Sequence, residues 1–234
     1  MIFGNLRRDR GGQAGEPRSQ GEQTRHAILA RALKIAAREG LAALTIGRLA
    51  EELRMSKSGL FAHFHSKRAL ELATLEMARE VFADAVLRPA QASRGGIERL
   101  WNLCDLWLQH IERQVFSGVY FFTGAFFEFA GRPGPVAEAI TQFAREWFET
   151  LRRAVQEAQE QGEINPDAKA KQVAWELNDR LVGAYWAYLL EGGGRFREAR
   201  IALLDQLREV ATGEIPASAF EYVRVWKEYL QGKH

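Results

Sequence analysis

Cysteine occurs once in the 234 residues, at position 104, which excludes an intramolecular disulfide and a cysteine-based zinc site. No apolar run reaches the ~20 residues that cross a bilayer. The first residues, Met1-Ile2-Phe3, turn at once to glycine and arginine and lack the apolar core of a secretion signal. Together these absences predict a cytoplasmic chain with no membrane partner. Strand signals are missing too, since apolar and polar residues nowhere alternate over a strand's length between turn residues. There is no glycine-rich phosphate loop, HExxH or nucleophile elbow, so the expectation is a chain that is not an enzyme, with no catalytic residue, no metal and no cofactor.

What is present is ordinary in amount and unusual in distribution. Hydrophobic residues make up 47% and charged residues 26%, enough for a sizeable core in one or two domains. The formal net charge of +2 hides an asymmetry: residues 1–70 hold 13 Lys/Arg against 6 Asp/Glu, whereas 71–234 hold 19 against 24. A basic N-terminal part can replace counterions on a nucleic-acid backbone, and an acidic remainder is repelled from it. A solvated basic face without a partner gives the same count.

Helical periodicity runs through the chain, and the fold class expected is all-α. Residues 1–21 carry no apolar period and read as a flexible basic tail with Arg7, Arg8, Arg10 and Arg18. From Gln23 to Glu39, Ile28, Leu29, Ala32, Leu33 and Ala36 mark one face, stopped by Gly40. Ser66 caps a helix expected to reach about Val86, before Arg88-Pro89 and Arg94-Gly95-Gly96 break the pattern. Ile97, Leu100, Trp101, Cys104, Trp107, Leu108 and Ile111 then share a face, with His110 expected at the surface. The run Gly118 to Phe129 is apolar nearly all round, which implies burial in the middle of a bundle. A long helix follows Pro135 to about Gln161, another covers about 167–191 up to Gly192-Gly193-Gly194, and a third runs from Phe196 to Thr212. Pro216 opens a last one through Phe220, Val223, Trp226 and Leu230.

The informative stretch is Leu44 to Lys67, LTIGRLAEELRMSKSGLFAHFHSK. Two apolar segments, Ile46-Leu49-Ala50-Leu53 and Leu60-Phe61-Phe64, are separated by Arg54-Met55-Ser56, room only for a tight turn. Thr45 and Ser56 precede them where a hydroxyl accepts from an orphan amide of the first helical turn. The second segment opens with Lys57, Ser58 and Gly59, small or cationic residues that let a backbone approach a phosphate or a base edge. This is a helix-turn-helix pattern, and in such readers the start of the second helix enters the major groove.

The order Leu44-Thr45-Ile46, Leu49-Ala50, Met55-Ser56-Lys57, Leu60-Phe61, His63-Phe64, Ser66-Lys67 and Leu70, preceded by Thr24-Arg25, Ile28-Leu29, Ala32-Leu33 and Gly40, resembles the DNA-binding domain of the TetR family of bacterial transcriptional regulators. The match covers roughly 22–82, with the helix-turn-helix at about 45–64. More weakly, Gly118 to Val136, with Glu128-Phe129 and Arg132-Pro133-Gly134-Pro135-Val136, is similar to the C-terminal domain of one group in that family.

The resemblance implies a three-helix DNA-binding head (22–82) joined by a linking helix to a larger helical body (83–234) that dimerises and holds an effector. Its partners would be double-stranded DNA, a second copy of the chain through the helices about 167–191 and 196–212, and a small-molecule effector of unknown identity. Lys57, Ser58 and Gly59, behind Ser56, would approach bases, while Thr45, Phe61, His63 and Lys67 would hold the backbone and Arg48 would add a phosphate or base contact. The function implied is that of a transcriptional repressor released from a palindromic operator by its ligand. Two departures stand out. Arg54 occupies a turn position where the family usually has glycine, so a left-handed turn would place a side chain at φ > 0, at a cost of about 1 kcal/mol. Phe61 replaces the usual tyrosine and gives up a phenolic contact to phosphate.

In the body, 12 of the chain's 25 aromatic residues lie between Trp101 and Phe148. They fit a pocket for an apolar ligand, but core packing produces the same clustering and is the plainer role for each residue taken singly. Trp101, Cys104, Phe122, Phe126, Glu128, Trp147 and Tyr185 are the candidate lining. Core packing is the plainer role for Cys104. Glu128, a carboxylate in an apolar segment, needs a partner: Arg132, a helix terminus or a ligand. The competing readings are a DNA-binding protein without an effector, and a helical small-molecule-binding protein or enzyme whose basic head is incidental.

Overall fold

The computed structural model describes residues 19–113, 121–191, 196–213 and 215. Helices α1 (Gln20–Glu39), α2 (Ile46–Leu53), α3 (Lys57–Phe64), α4 (Lys67–Phe82), α5 (Arg88–Gln91), α6 (Gly96–Glu112), α7 (Phe121–Phe129), α8 (Pro135–Glu160), α9 (Ala170–Glu191) and α10 (Phe196–Val210) account for most of them. Among the described residues no strand ladder forms; one isolated antiparallel bridge pairs Ile164 with Ala211. The chain is all α. No described helix is long and apolar enough to cross a membrane. The N-terminal arginines through Arg18, the segment Gly118 to Tyr120, the stop at Gly192-Gly193-Gly194 and the helix expected after Pro216 lie outside the described residues.

Two compact units form, and the division falls within α4 and α8. The first combines described residues 19–80 with 121–146, and the second combines 81–113 with 147–191 and 196–213. One cut falls near 80, and α7 and the start of α8 cluster with the N-terminal residues.

In the first unit, α1 starts three residues earlier than its apolar period because Ser19 and Glu22 make a reciprocal capping box, Ser19 Oγ accepting from the Glu22 amide and Glu22 from the Ser19 amide. Ile28, Leu29, Ala32, Leu33 and Ala36 are buried, as their spacing predicts. A short 3₁₀ turn, Leu41–Ala43, leads into α2. Ser66 Oγ accepts from the Ala69 amide at 3.1 Å and starts α4. Phe122 of α7 stacks on Phe143 of α8 with ring centroids 3.6 Å apart.

The expectation of burial all round α7 is corrected here. Phe121, Phe122 and Ala125 are buried, while Phe126 and Phe127 remain 44% and 60% exposed. Apolarity all round a short helix states what it contains, whereas its neighbours decide which side is covered.

The second unit opens where the helical path widens. The Arg88 amide donates to Ala83, five residues back, and Ala83–Leu87 is a π turn leading straight into α5. Pro89 has no amide to offer the carbonyl four residues earlier. The chain therefore stays helical across a position where the pattern predicted a break, with the ladder re-registered by one residue.

Helix α6 buries Ile97, Leu100, Trp101, Cys104, Trp107, Leu108 and Ile111, and packs against α9 and α10. His110 is also buried, at 3% exposure, with its ring edge-on to Phe82 at 5.8 Å. The surface placement expected for it is therefore wrong. It lies three residues after Trp107 and so falls within the apolar stripe. Burial pulls its pKa down to about 4. Arg200, 3% exposed on α10, reaches Asp105 of α6 at 2.6 Å and Glu112 at 3.0 Å, which supplies the pairing a buried guanidinium requires.

Candidate nucleic-acid interface

Both helices of the expected reader are set by side-chain caps. Thr45 Oγ1 accepts from the Arg48 amide at 3.1 Å, and Ser56 Oγ accepts from the Gly59 amide at 3.1 Å. Between them α2 closes with the Met55 amide donating to Ala50 and the Arg54 amide to Glu51, the double bond pattern that terminates helices on a left-handed residue. That residue is Arg54, at φ 53 and ψ 39. The turn keeps the left-handed geometry that glycine usually serves, now with a side chain in it.

Leu49, Ala50, Leu60 and Phe64 are buried, and α2 packs against both α1 and α3. The Arg25 guanidinium of α1 lies 4.6 Å from the Phe64 ring centroid, a cation-π contact that covers the inner side of α3. The outer side is left to Lys57, Ser58, Phe61 and Ala62, all exposed. Phe61 is 51% exposed. His63 is half-buried. A Cβ on Gly59 would meet Ser56 Oγ at 3.0 Å, so glycine here also makes room for the cap hydroxyl.

Lys57 stands in the first turn of α3, where the helix dipole presents positive charge and a cation is locally unfavourable. Among the described residues it holds no ion pair, and its aliphatic stem lies over Gly47, where a Cβ would meet Lys57 Cε at 3.4 Å. A local conflict of this kind adds nothing to the stability of α3.

Two further basic candidates are already engaged. Arg48 forms an ion pair with Glu39, which also holds Arg38 at 2.6 Å, and the two guanidiniums, Arg38 foremost, keep the Glu39 carboxyl below its ordinary range. Lys67 Nζ donates to the Ala42 carbonyl at 2.6 Å and lies 3.7 Å from Glu71. Burial raises the Glu71 carboxyl, with Lys67 opposing. The apolar spacing of α1 announced neither Glu39 nor this pairing, because nothing in the sequence links positions 39 and 48 across the intervening turn.

The candidate ligand residues fall into two groups. Trp101, Cys104, Trp147 and Tyr185 are buried in the second unit. Burial pushes the Cys104 thiol up, with the Asp105 charge adding to the effect. Phe122, Phe126 and Glu128 belong to the first unit. Of the partners weighed for Glu128, the structure has a helical turn's start: its carboxylate accepts from the Leu41 and Ala42 amides. An open cleft of about 620 Å³ in the first unit is lined by residues between Arg132 and Arg145 and includes none of the seven.

A capped helix-turn-helix with an exposed, cationic second-helix start, in an otherwise helical chain, defines a DNA-binding regulator. Residues 28–74 match the family described as bacterial regulatory proteins, tetR family, and residues 96–203 match the tetracyclin repressor-like C-terminal domain. The chain belongs to the TetR family and is a transcriptional regulator. Solved structures agree. A TetR transcriptional regulator from Chloroflexus aurantiacus J-10-FL is 25% identical, with TM-score 0.71 over 82% of this chain and 97% of that one. A TetR-family regulator from Cytophaga hutchinsonii is 14% identical, with TM-score 0.73 over 85% of this chain and 100% of its own. AibR, solved with isovaleryl coenzyme A and operator DNA, is 22% identical, with TM-score 0.61 over 80% and 97%. Curated protein sequences gave no match.

Proposed function

We propose that this regulator works as a homodimeric repressor that releases a palindromic operator when a small molecule binds its body. Residues 22–82 form the reading head and 83–234 the dimerising, effector-binding body. Lys57, Ser58 and Gly59, behind the Ser56 cap, meet base edges in the major groove. Thr45, Phe61, His63 and Lys67 seat the head on the backbone, Phe61 through its ring alone. Arg48 joins them on leaving Glu39, a phosphate taking the place of the carboxylate. The chain acts by binding, without a catalytic residue, metal or cofactor, in the cytoplasm.

The observation that carries this reading is Lys57, exposed and without an ion pair among the described residues, at a helix start that disfavours it. Dimerisation is supported by α9 and α10, which leave Trp175, Trp186, Leu189, Leu190 and Ile201 between 37% and 80% exposed. The ligand response takes support from AibR, whose structure holds both isovaleryl coenzyme A and operator DNA. Trp101, Cys104, Trp147 and Tyr185, buried in the second unit, are the proposed effector contacts, and Phe122 and Phe126 of the first unit are candidates of their own.

The test is binding of the purified protein to the DNA upstream of its own coding region, against a scrambled duplex, at two salt concentrations. A preference that survives the higher salt is expected. Equal, salt-sensitive binding to both duplexes would reduce the head to a basic surface.

A further inference from the structure

Glu128 of α7 is separated by 87 residues from the backbone it holds. Its Oε2 accepts from the Leu41 amide at 2.7 Å and its Oε1 from the Ala42 amide at 2.8 Å. These are the first two amides beyond Gly40, whose own amide ends α1 on the Ala36 carbonyl at 2.9 Å. A carboxylate that takes one amide on each oxygen fixes both the position and the tilt of the peptide pair.

Gly40 is shaped to admit it. At φ 93 the backbone disfavours any side chain, and a Cβ there would lie 3.0 Å from Glu128 Oε1 and 3.2 Å from Oε2. On the far side of the same turn, Lys67 Nζ takes the Ala42 carbonyl at 2.6 Å. Helix α7 packs on both α1 and the 3₁₀ turn. Three residues beyond Ala42 stands Thr45, the cap of α2. Glu128 lies within the match to the family's C-terminal domain, whereas the two amides lie within the match to its N-terminal one.

We infer that Glu128 is a positioning residue for DNA reading: its carboxylate latches α7 to the turn between α1 and α2 and sets the orientation of the helix-turn-helix without touching DNA. This rests on the regulatory reading above. Removing the charge should loosen the turn and spread the head over orientations of which only some fit the groove. The phosphate contacts themselves stay intact, so affinity falls while the salt dependence does not.

The experiment compares the wild-type protein with Glu128→Gln and Gly40→Ala, using a duplex selected by the wild type from a random-sequence pool. Glutamine keeps the shape of Glu128 but turns an amide group toward two amides. Three quantities are read: hydrogen exchange at the Leu41 and Ala42 amides, duplex affinity at several salt concentrations, and the unfolding midpoint. In Glu128→Gln the two amides should exchange at least about tenfold faster and affinity should fall about tenfold, with unchanged salt slope. Gly40→Ala should reproduce the affinity loss, and the double variant should lose little more than either single one, since both act through one contact.

Unchanged exchange at Leu41 and Ala42 in Glu128→Gln overturns the latch, whatever the DNA result. Faster exchange with wild-type affinity overturns its positioning role. A loss of affinity that tracks a fallen unfolding midpoint in both variants overturns it as well, since general destabilisation would explain the effect. If the wild type selects no duplex from the pool, it is the regulatory reading that fails, and with it any role of Glu128 in DNA reading.

Discussion

Arg54 occupies the left-handed end of α2 at φ 53, a conformation in which a Cβ crowds the backbone. Replacing it with glycine relieves that strain at the expense of a more flexible unfolded chain, and Arg54→Gly should raise stability by about 0.5–1 kcal/mol in urea unfolding. At the same scale, Glu39 holds Arg48 and Arg38 in ion pairs on the face where DNA is proposed to bind. Binding must break the Arg48 pair and bring a carboxylate near phosphate. Glu39→Gln should therefore tighten duplex binding, by a few-fold at low salt and less at high salt, as a salt titration of affinity would register. The sequence disclosed Lys57 through its place after a cap. It could not disclose Glu39, because an acidic residue at the end of a helix looks like any solvated charge until its neighbours are placed.

At the scale of elements, α2 and α3 carry their boundaries in single residues. Thr45, Ser56 and Ser66 each accept the amide that their position in the sequence predicts. Helix α7 was less legible, since a helix apolar on every side gives no direction, and only packing distinguished buried Phe122 from exposed Phe127. Helix α6 hid a histidine in its stripe. His110 is neutral with its pKa near 4, below the ordinary value of 6.5, because burial penalises the charged form. The unfolded chain then binds the extra proton between those values, so stability is full above about pH 6.5 and is lost as pH falls toward 4. The loss should reach roughly 2–3 kcal/mol. Urea unfolding at pH 7 and pH 5 should show that slope in the wild type and a shallower one in His110→Phe.

For the whole molecule, the apolar residues that α9 and α10 leave exposed, Trp186 and Leu190 among them, belong in the proposed dimer interface. The double change Trp186→Lys and Leu190→Glu should shift the protein to monomer in sedimentation, because burying those charges against a copy would be costly. Operator affinity should fall by at least about a hundredfold, since one head reads half a site. Helix content and the melting of the head should stay near wild type.

The sequence by itself determined what depends on neighbours along the chain: helices by their period, their starts by hydroxyl caps, the turn by its length, and a basic head by charge count. These are interactions within a few residues, and spacing records them. Only the tertiary structure decided which distant groups meet: Glu128 with the amides of Leu41 and Ala42, Arg200 with Asp105, and Glu39 with Arg48. The physical reason is that a charge needs a partner wherever it is buried or crowded, but the identity of that partner is settled by how helices far apart in the chain pack, and no periodicity encodes it.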